Sequence, residues 1–309
     1  MKKVVMMTAL VGLMAGGAMA SAFRAADTVY LPVAGKVAGG GGSFFRTDVW
    51  ISNVSTSSVD VWVAYGARLQ DNANAPANAV MLATPLAPGE RREIVDVMGA
   101  VFGTPDDPGA LGQLIFFACR VGGNCGDCDT NAADCLPITV EARIYTTAAD
   151  GSTFGQLIPG IPWYNFVSVD QVTTGLDEVF IVGVRQNENY RTNIGLVNAS
   201  QFSSATLRVR LFQSDGTQFG STFERTLPPL SMDQIAIPSM FTGFSGTGAW
   251  VHIEQAPLTT GSDPGFLAYG SMLDNESNDP TYLEAQYVPE MPWECVYGAK
   301  GIRRLADHP

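Results

Sequence analysis

The sequence predicts an all-β protein of two tandem immunoglobulin-like antiparallel β-sandwich domains. Three observations lead there. A nine-residue stretch occurs twice, as Phe45–Asn53 and as Tyr190–Asn198. Short runs of alternating apolar and polar residues recur roughly every 8–12 residues, divided by Pro- and Gly-bearing turns. Beyond the first residues, a helical apolar period is almost absent. A length of 309 residues suits about two domains at ~150 residues each.

The two copies read Phe45-Arg46-Thr47-Asp48-Val49-Trp50-Ile51-Ser52-Asn53 and Tyr190-Arg191-Thr192-Asn193-Ile194-Gly195-Leu196-Val197-Asn198. Side chains alternate across a strand, so Thr47, Val49 and Ile51 share one face with Phe45. Thr192, Ile194 and Leu196 do the same with Tyr190. That face is the expected core side. Arg46 and Asp48, like Arg191 and Asn193, then form an outward polar row. The match continues in order on both sides. Val29-Tyr30-Leu31 corresponds to Val179-Phe180-Ile181, and Leu86-Ala87-Pro88 to Leu227-Pro228-Pro229. Preserved order over this length indicates a duplicated unit. The spacing between matched positions shrinks along the chain, so the first copy carries extra loop residues.

Residues 1–22 read as a secretory leader. Lys2 and Lys3 supply the basic start, Val4 to Met14 the apolar run, and Ala18-Met19-Ala20 and Ala20-Ser21-Ala22 two cleavage sites. The first domain is placed at 23–160, a linker at 161–177, the second domain at 178–290 and an irregular tail at 291–309. Asp27 to Val33 is a short strand, and Pro32 within it argues for a sheet edge. Gly39 to Gly42 precedes a strand rather than a helix, which argues against phosphate binding. The repeated strand is expected to pair with Val59–Tyr65 through the loop Val54–Ser58. That register sets Trp50 directly opposite Trp62 on the outward face. Gln70 to Ala79 is a polar loop. Ala79–Leu86 and Arg91–Val97 are strands around a Pro88-Gly89 turn. Asp96 caps a helical turn that Gly103 ends. Leu111–Cys119 and Ile138–Thr147 are apolar strands. In the second copy Pro238 and Gly243 bracket the equivalent helical turn, and Trp250 and His252 point outward.

Between the strands ending at Cys119 and starting at Ile138 lies an insertion that the second copy lacks. Cys119, Cys125, Cys128 and Cys135 sit in it. A secreted chain favours disulfides, with Cys119–Cys135 at the neck and Cys125–Cys128 at the tip as the preferred pairing. The alternatives are a zinc site on the four thiolates or calcium held by Asp127, Asp129 and Asp134. Cys295 is left over, free or paired between chains.

At the Arg-Thr-Asp-Val-Trp-Ile-Ser-Asn and Arg-Thr-Asn-Ile-Gly-Leu-Val-Asn strands, with Leu86-Ala87-Pro88-Gly89-Glu90 between them, the chain resembles a group of uncharacterised secreted bacterial proteins built from paired repeats of this type. The resemblance spans most of residues 28–288. It implies two tandem immunoglobulin-like sandwiches and no known activity. The cysteine insertion and the Trp50/Trp62 pair depart from the plain repeat, which makes them the places for an individual function.

The formal net charge is −12, with a pI near 4.5. Loss of Lys2 and Lys3 with the leader would make it −14. Such a surface argues against nucleic acid as a partner. No run after the leader reaches the ~18 apolar residues of a membrane span. Of the two histidines, His308 is in the tail and His252 lies mid-strand with no nucleophile motif beside it. No Gly-x-Ser-x-Gly or His-Glu-x-x-His motif occurs, and no cofactor is expected. The reading is a non-catalytic structural or interaction module, located in the periplasm, on the cell surface or outside the cell, with a protein partner or a second copy bound. The alternative is a polysaccharide-binding module using Trp50 and Trp62. A hydrolase is the third reading.

Overall fold

A computed structural model describes residues 25–123, 125, 133–167, 178–256 and 265–286. The expected leader, Cys128, Cys295, His308 and the tail lie outside these residues. In the first half, β1 (Thr28–Ala38), β2 (Phe44–Asn53), β3 (Val59–Ala67), β4 (Val80–Met81) and β5 (Arg91–Ile94) precede helix α1 (Val97–Phe102). β6 (Ala110–Arg120), β7 (Ile138–Thr147), β8 (Thr153–Pro159) and β9 (Ile161–Pro162) follow. The second half runs β10 (Glu178–Gln186), β11 (Tyr190–Asn198), β12 (Ala205–Phe212), β13 (Gln218–Leu227) and β14 (Met232–Ala236), then α2 (Ile237–Met240). β15 (Gly246–Gln255), β16 (Phe266–Asp274) and β17 (Pro280–Glu284) complete it. The chain is all-β, and its strands pair antiparallel.

The two halves repeat one pairing scheme. β6 pairs with β1 and β3, as β15 pairs with β10 and β12. β2 pairs with β5 and β7, as β11 pairs with β14 and β16. Short outer strands repeat too: β4 on β3 and β8 on β7 match β13 on β12 and β17 on β16. Val49 faces Ile94 and Ala142 across its ladders. Ile194 faces Ile235 and Gly270 in the matching places. Both are fully buried, because the alternating stripe turns the same side chains inward in each copy.

The expected hairpin is not formed, and this is the main correction to the sequence reading. β2 and β3 do not pair: they lie in one nine-stranded sheet with β6 and β1 between them, and β11 and β12 lie in separate four-stranded sheets, so in each half the loop between the two strands is an arch rather than a hairpin turn. The arch is tied by a buried amide. Asn53 Nδ2 donates to the carbonyls of Ser57, Leu86 and Ala87 at 2.8, 3.0 and 3.1 Å. Asn198 Nδ2 donates to those of Ser203, Leu227 and Pro228 at 2.8, 3.2 and 2.9 Å. The amide oxygen of each accepts a backbone N–H two residues on, from Ser55 and Ser200. A loop of five residues fits a hairpin or an arch; the buried Asn at its start selects the arch by satisfying carbonyls that leave the ladder. The repeated Thr works similarly. Thr47 Oγ1 donates to Gly35 O and accepts from Gly35 N, and Thr192 does the same with Arg185.

Pro32 is not on a sheet edge. β1 has β6 on one side, and β9 then β2 on the other. Its register slips between Leu31 and Ala34, and Pro32 lies in that bulge, where a missing donor is tolerated. α1 follows its sequence signals. Asp96 Oδ1 accepts from Gly99 N at 3.1 Å, and Gly103 ends the helix at φ +64°. Arg46 and Asp48 do not pair with each other. Arg46 reaches Asp106 at 3.4 Å, and Asp48 accepts the N–H of Asp96 at 2.8 Å.

The halves pack on one another through a buried contact. Tyr30, Ala64 and Ile115 of the first half share one apolar cluster with Val197, Leu230, Met232, Leu267 and Tyr269 of the second. Gln113 Nε2 donates to Asn198 O at 3.0 Å, and Gln156 Nε2 to Ser271 Oγ at 3.0 Å. The loop after β3, read from sequence only as polar, clamps the contact. Leu69 N and Asn72 N donate to Met232 O and Pro229 O, and Arg68 Nε reaches Asp233 Oδ1 at 2.7 Å. Gly66 permits the approach: a Cβ there would lie 2.3 Å from Leu230 O. Gly195 makes room inside the second half for the ring of its ladder partner Tyr269, from which a Cβ would lie 1.9 Å. Among the described residues no helix is long and apolar enough to cross a membrane.

Candidate functional site

The sequence-predicted Trp pair is not brought together. Trp50 on β2 faces Glu93 and Glu141. Trp62 on β3 faces Met81 and Phe117, with β6 and β1 between β3 and β2. Because the intervening loop is an arch, the two indoles cannot face each other across a ladder. Each is half-buried. Trp50 lies under the Arg91 guanidinium, 5.8 Å from ring centre to Cζ, while Arg91 pairs with Glu141 at 3.3 Å. Trp50 and Trp62 therefore form no two-indole platform for a sugar ring.

The cysteine insertion also departs from the preferred pairing. Cys119 is bonded to Cys125, with 5.0 Å between their Cα atoms. Cys135 sits opposite Cys119 in a backbone bridge and is itself disulfide-bonded, though not to Cys119. Cys128 lies outside the described residues. The physical cause is a tight turn. Gly123 N donates to Arg120 O at 2.7 Å, and Gly122 takes φ +72°. That reversal folds the chain back over the end of β6 and brings Cys125 to the buried Cys119. Oxidation of Cys119, Cys125 and Cys135 leaves no room for the four-thiolate zinc alternative.

The most concentrated group of chemically active side chains lies elsewhere, on the outer face of β10, β15 and β12. Register places Glu178 directly opposite Glu254, Phe180 opposite His252, and His252 opposite Arg210. The next rung sets Trp250 beside Phe212, and those rings stack at 4.0 Å with 6° between planes. Phe180 lies 4.9 Å from the His252 ring and 5.9 Å from the Trp250 ring. His252 Nε2 meets Glu178 Oε2 at 2.5 Å, and Arg210 Nη2 meets Glu254 Oε2 at 2.7 Å. His252 is 5% exposed, whereas the Glu178 side chain is 40% exposed, so the face is closed at the imidazole and open at one carboxylate. The sequence marked Trp250 and His252 as outward. It gave no reason to join them to Glu178, Arg210 or Phe212, which come from strands far apart in the chain.

The pairing scheme identifies the matching face of the first half: β1, β6 and β3, with Tyr30, Ala64, Gly66, Gln113 and Ile115. That face is covered by the second half. Phe180, Arg210, Phe212, Trp250 and His252 occupy the corresponding places in the second half. Phe212 thus stands where Gly66 does, and Trp50 stands where Gly195 does. The outer face of the second half therefore carries a large ring where the internal contact requires glycine at position 66.

Two further hollows are shallow. One is a cavity of about 50 Å³ lined by Ile161, Val167, Val179, Leu267 and Tyr282, at the seam of the halves. The other is a polar groove among Glu188, Tyr190, Asp274 and Glu276.

No protein-family model matches this chain, and no curated protein matches it. Among solved structures it was aligned with "Structure of infectious bursal disease virus Gt strain", at 10% identity and a TM-score of 0.20, over 87% of this chain and 74% of that one. A likeness of that size carries no argument about fold or activity. Chemically, the outer face of the second half offers aromatic contact area, one Arg210–Glu254 ion pair and one imidazole hydrogen-bonded to Glu178, with no hydroxyl or thiol nucleophile among the residues named.

Proposed function

We propose that the chain is a non-catalytic secreted interaction module of two tandem immunoglobulin-like sandwiches, acting through the outer face of β10, β15 and β12. Two pairings support the immunoglobulin-like reading. In each half the second strand pairs with the fifth and the third with the sixth, as B–E and C–F do in that fold. The first and seventh strands exchange neighbours relative to it.

One observation carries the functional reading. The first half spends this same sheet face on binding another sandwich, and the second half carries Phe180, Phe212 and Trp250 there. Clustered aromatic residues flanked by Arg contribute most of the energy at protein interfaces. The partner is a different protein rather than a third repeat in the same packing, because Phe212 stands where Gly66 lets the Leu230 backbone approach. A photo-crosslinking residue at Val182, which is 49% exposed and opposite Trp250, tests this in the secreting organism. A discrete adduct with a second protein, lost on Trp250→Ala, is expected. Adducts with the chain itself alone, or none, would refute the reading.

A further inference from the structure

We propose that Glu178, His252 and Glu254 form a binding site for a divalent transition metal of the zinc class. This goes beyond the interaction reading and does not depend on it. One donor atom from each residue lies within 4.8 Å of the other two. Zinc bonds of 2.0–2.1 Å in a tetrahedron set ligand atoms about 3.3 Å apart, so small side-chain rotations bring these three onto one ion. An imidazole nitrogen with two carboxylates suits zinc better than calcium, which takes six or more oxygens.

The backbone fixes the arrangement. Glu178 and Glu254 are direct partners across β10 and β15, with His252 on the same face one rung away. Like charges directly opposite on a sheet repel; Arg210 offsets part of that cost at Glu254, and a cation between the two carboxylates offsets the rest. Supporting groups are also present. Arg210 holds Glu254 by one oxygen, and the Phe180 ring packs on the imidazole; contacts of this kind orient ligands. The exposed side of Glu178 leaves a fourth position open to solvent. None of this exists in the first half, where the register places Thr28, Phe117 and Ile115 at the matching points. No local motif marks the site, since its ligands lie 74 residues apart along the chain.

A nitrogen that binds metal carries no proton, so metal affinity falls as the solution is acidified. The test is calorimetric titration of zinc chloride into the full chain after treatment with a chelator, at neutral and mildly acid pH. A Cys295→Ser, His308→Ala background removes ligands of the tail. One ion per chain is expected. His252→Ala, Glu178→Gln and Glu254→Gln should each weaken binding about tenfold or more. Cobalt should bind in the same place without a thiolate charge-transfer band. If His252→Ala fails to fold, the two Glu→Gln variants decide. Absence of zinc and cobalt binding, or binding indifferent to the Glu and His changes, would overturn the proposal.

Discussion

Asn53 and Asn198 show what a single repeated letter does. Each amide has two N–H hydrogens and addresses three carbonyls, and each residue is at most 1% exposed. Replacement by Ala strands those carbonyls inside the core, at about 1 kcal/mol for each bond lost. Asn53→Ala and Asn198→Ala should each cost about 2–4 kcal/mol in urea denaturation. A loss near zero would show that water replaces the amide. The sequence showed that these residues recur, but not why. A buried Asn at the end of a strand looks the same in a string of letters whether it closes a hairpin turn or ties an arch.

At the scale of elements, the turns carry the acid sensitivity. Asp274, at the start of the β16–β17 turn, accepts from Glu276 N at 2.9 Å and from Ser277 N at 2.8 Å. Its carboxyl is held below the ordinary range, first by the Ser277 backbone bond and then by the Ser277 hydroxyl. Asp150 and Asp215 are lowered by similar turn contacts with Ser152 and Thr217. A depressed pKa stabilises the fold above the unfolded value, and that contribution fades as pH falls through the folded value. Asp274→Ala should therefore lower the melting temperature at neutral pH. The gap between variant and parent should close as pH drops below the ordinary aspartate range. A gap that stays constant with pH would contradict the assignment. The cap of α1 and its terminating Gly103 were legible in the sequence because both signals are local. The bulge at Pro32 was not, since whether a proline lies at an edge or in a bulge depends on which strands arrive beside it.

For the molecule as a whole, the decisive feature is the contact between halves. Asp233 is fully buried and sits between Arg68 of the first half, at 2.7 Å, and Arg225 of the second, at 3.1 Å. Both arginine side chains retain solvent contact, at 45% and 35% exposure. Removing the cations leaves a buried charge unpaired, whereas removing the anion releases two groups that water can hydrate. Arg68→Ala should cost about 1–3 kcal/mol, and the Arg68→Ala, Arg225→Ala double variant more than Asp233→Asn. Equal losses in denaturant titrations would remove the clamp from the account. Gly66→Ala forces a Cβ against Leu230 O, and should loosen the same seam. Differential amide exchange at Gln113 and Val197 would report it, and unchanged protection would count against the close approach.

The all-β class, the duplicated pattern, the inward stripe of Val49 and Ile194, and the short capped helix are legible in the residues alone. Each follows from side-chain periodicity or from residues within one turn of each other. Tertiary structure alone decided the rest. Alternation says which side of a strand is buried and nothing about which strand lies next to it. Alternation therefore sets Trp50 against Trp62 across a hairpin that does not form, and spacing sets Cys119 with Cys135 at the neck of the insertion, where a tight turn instead brings Cys125 to Cys119. For the same reason the cluster of Glu178, Arg210, His252 and Glu254 appears only once β10, β15 and β12 lie side by side.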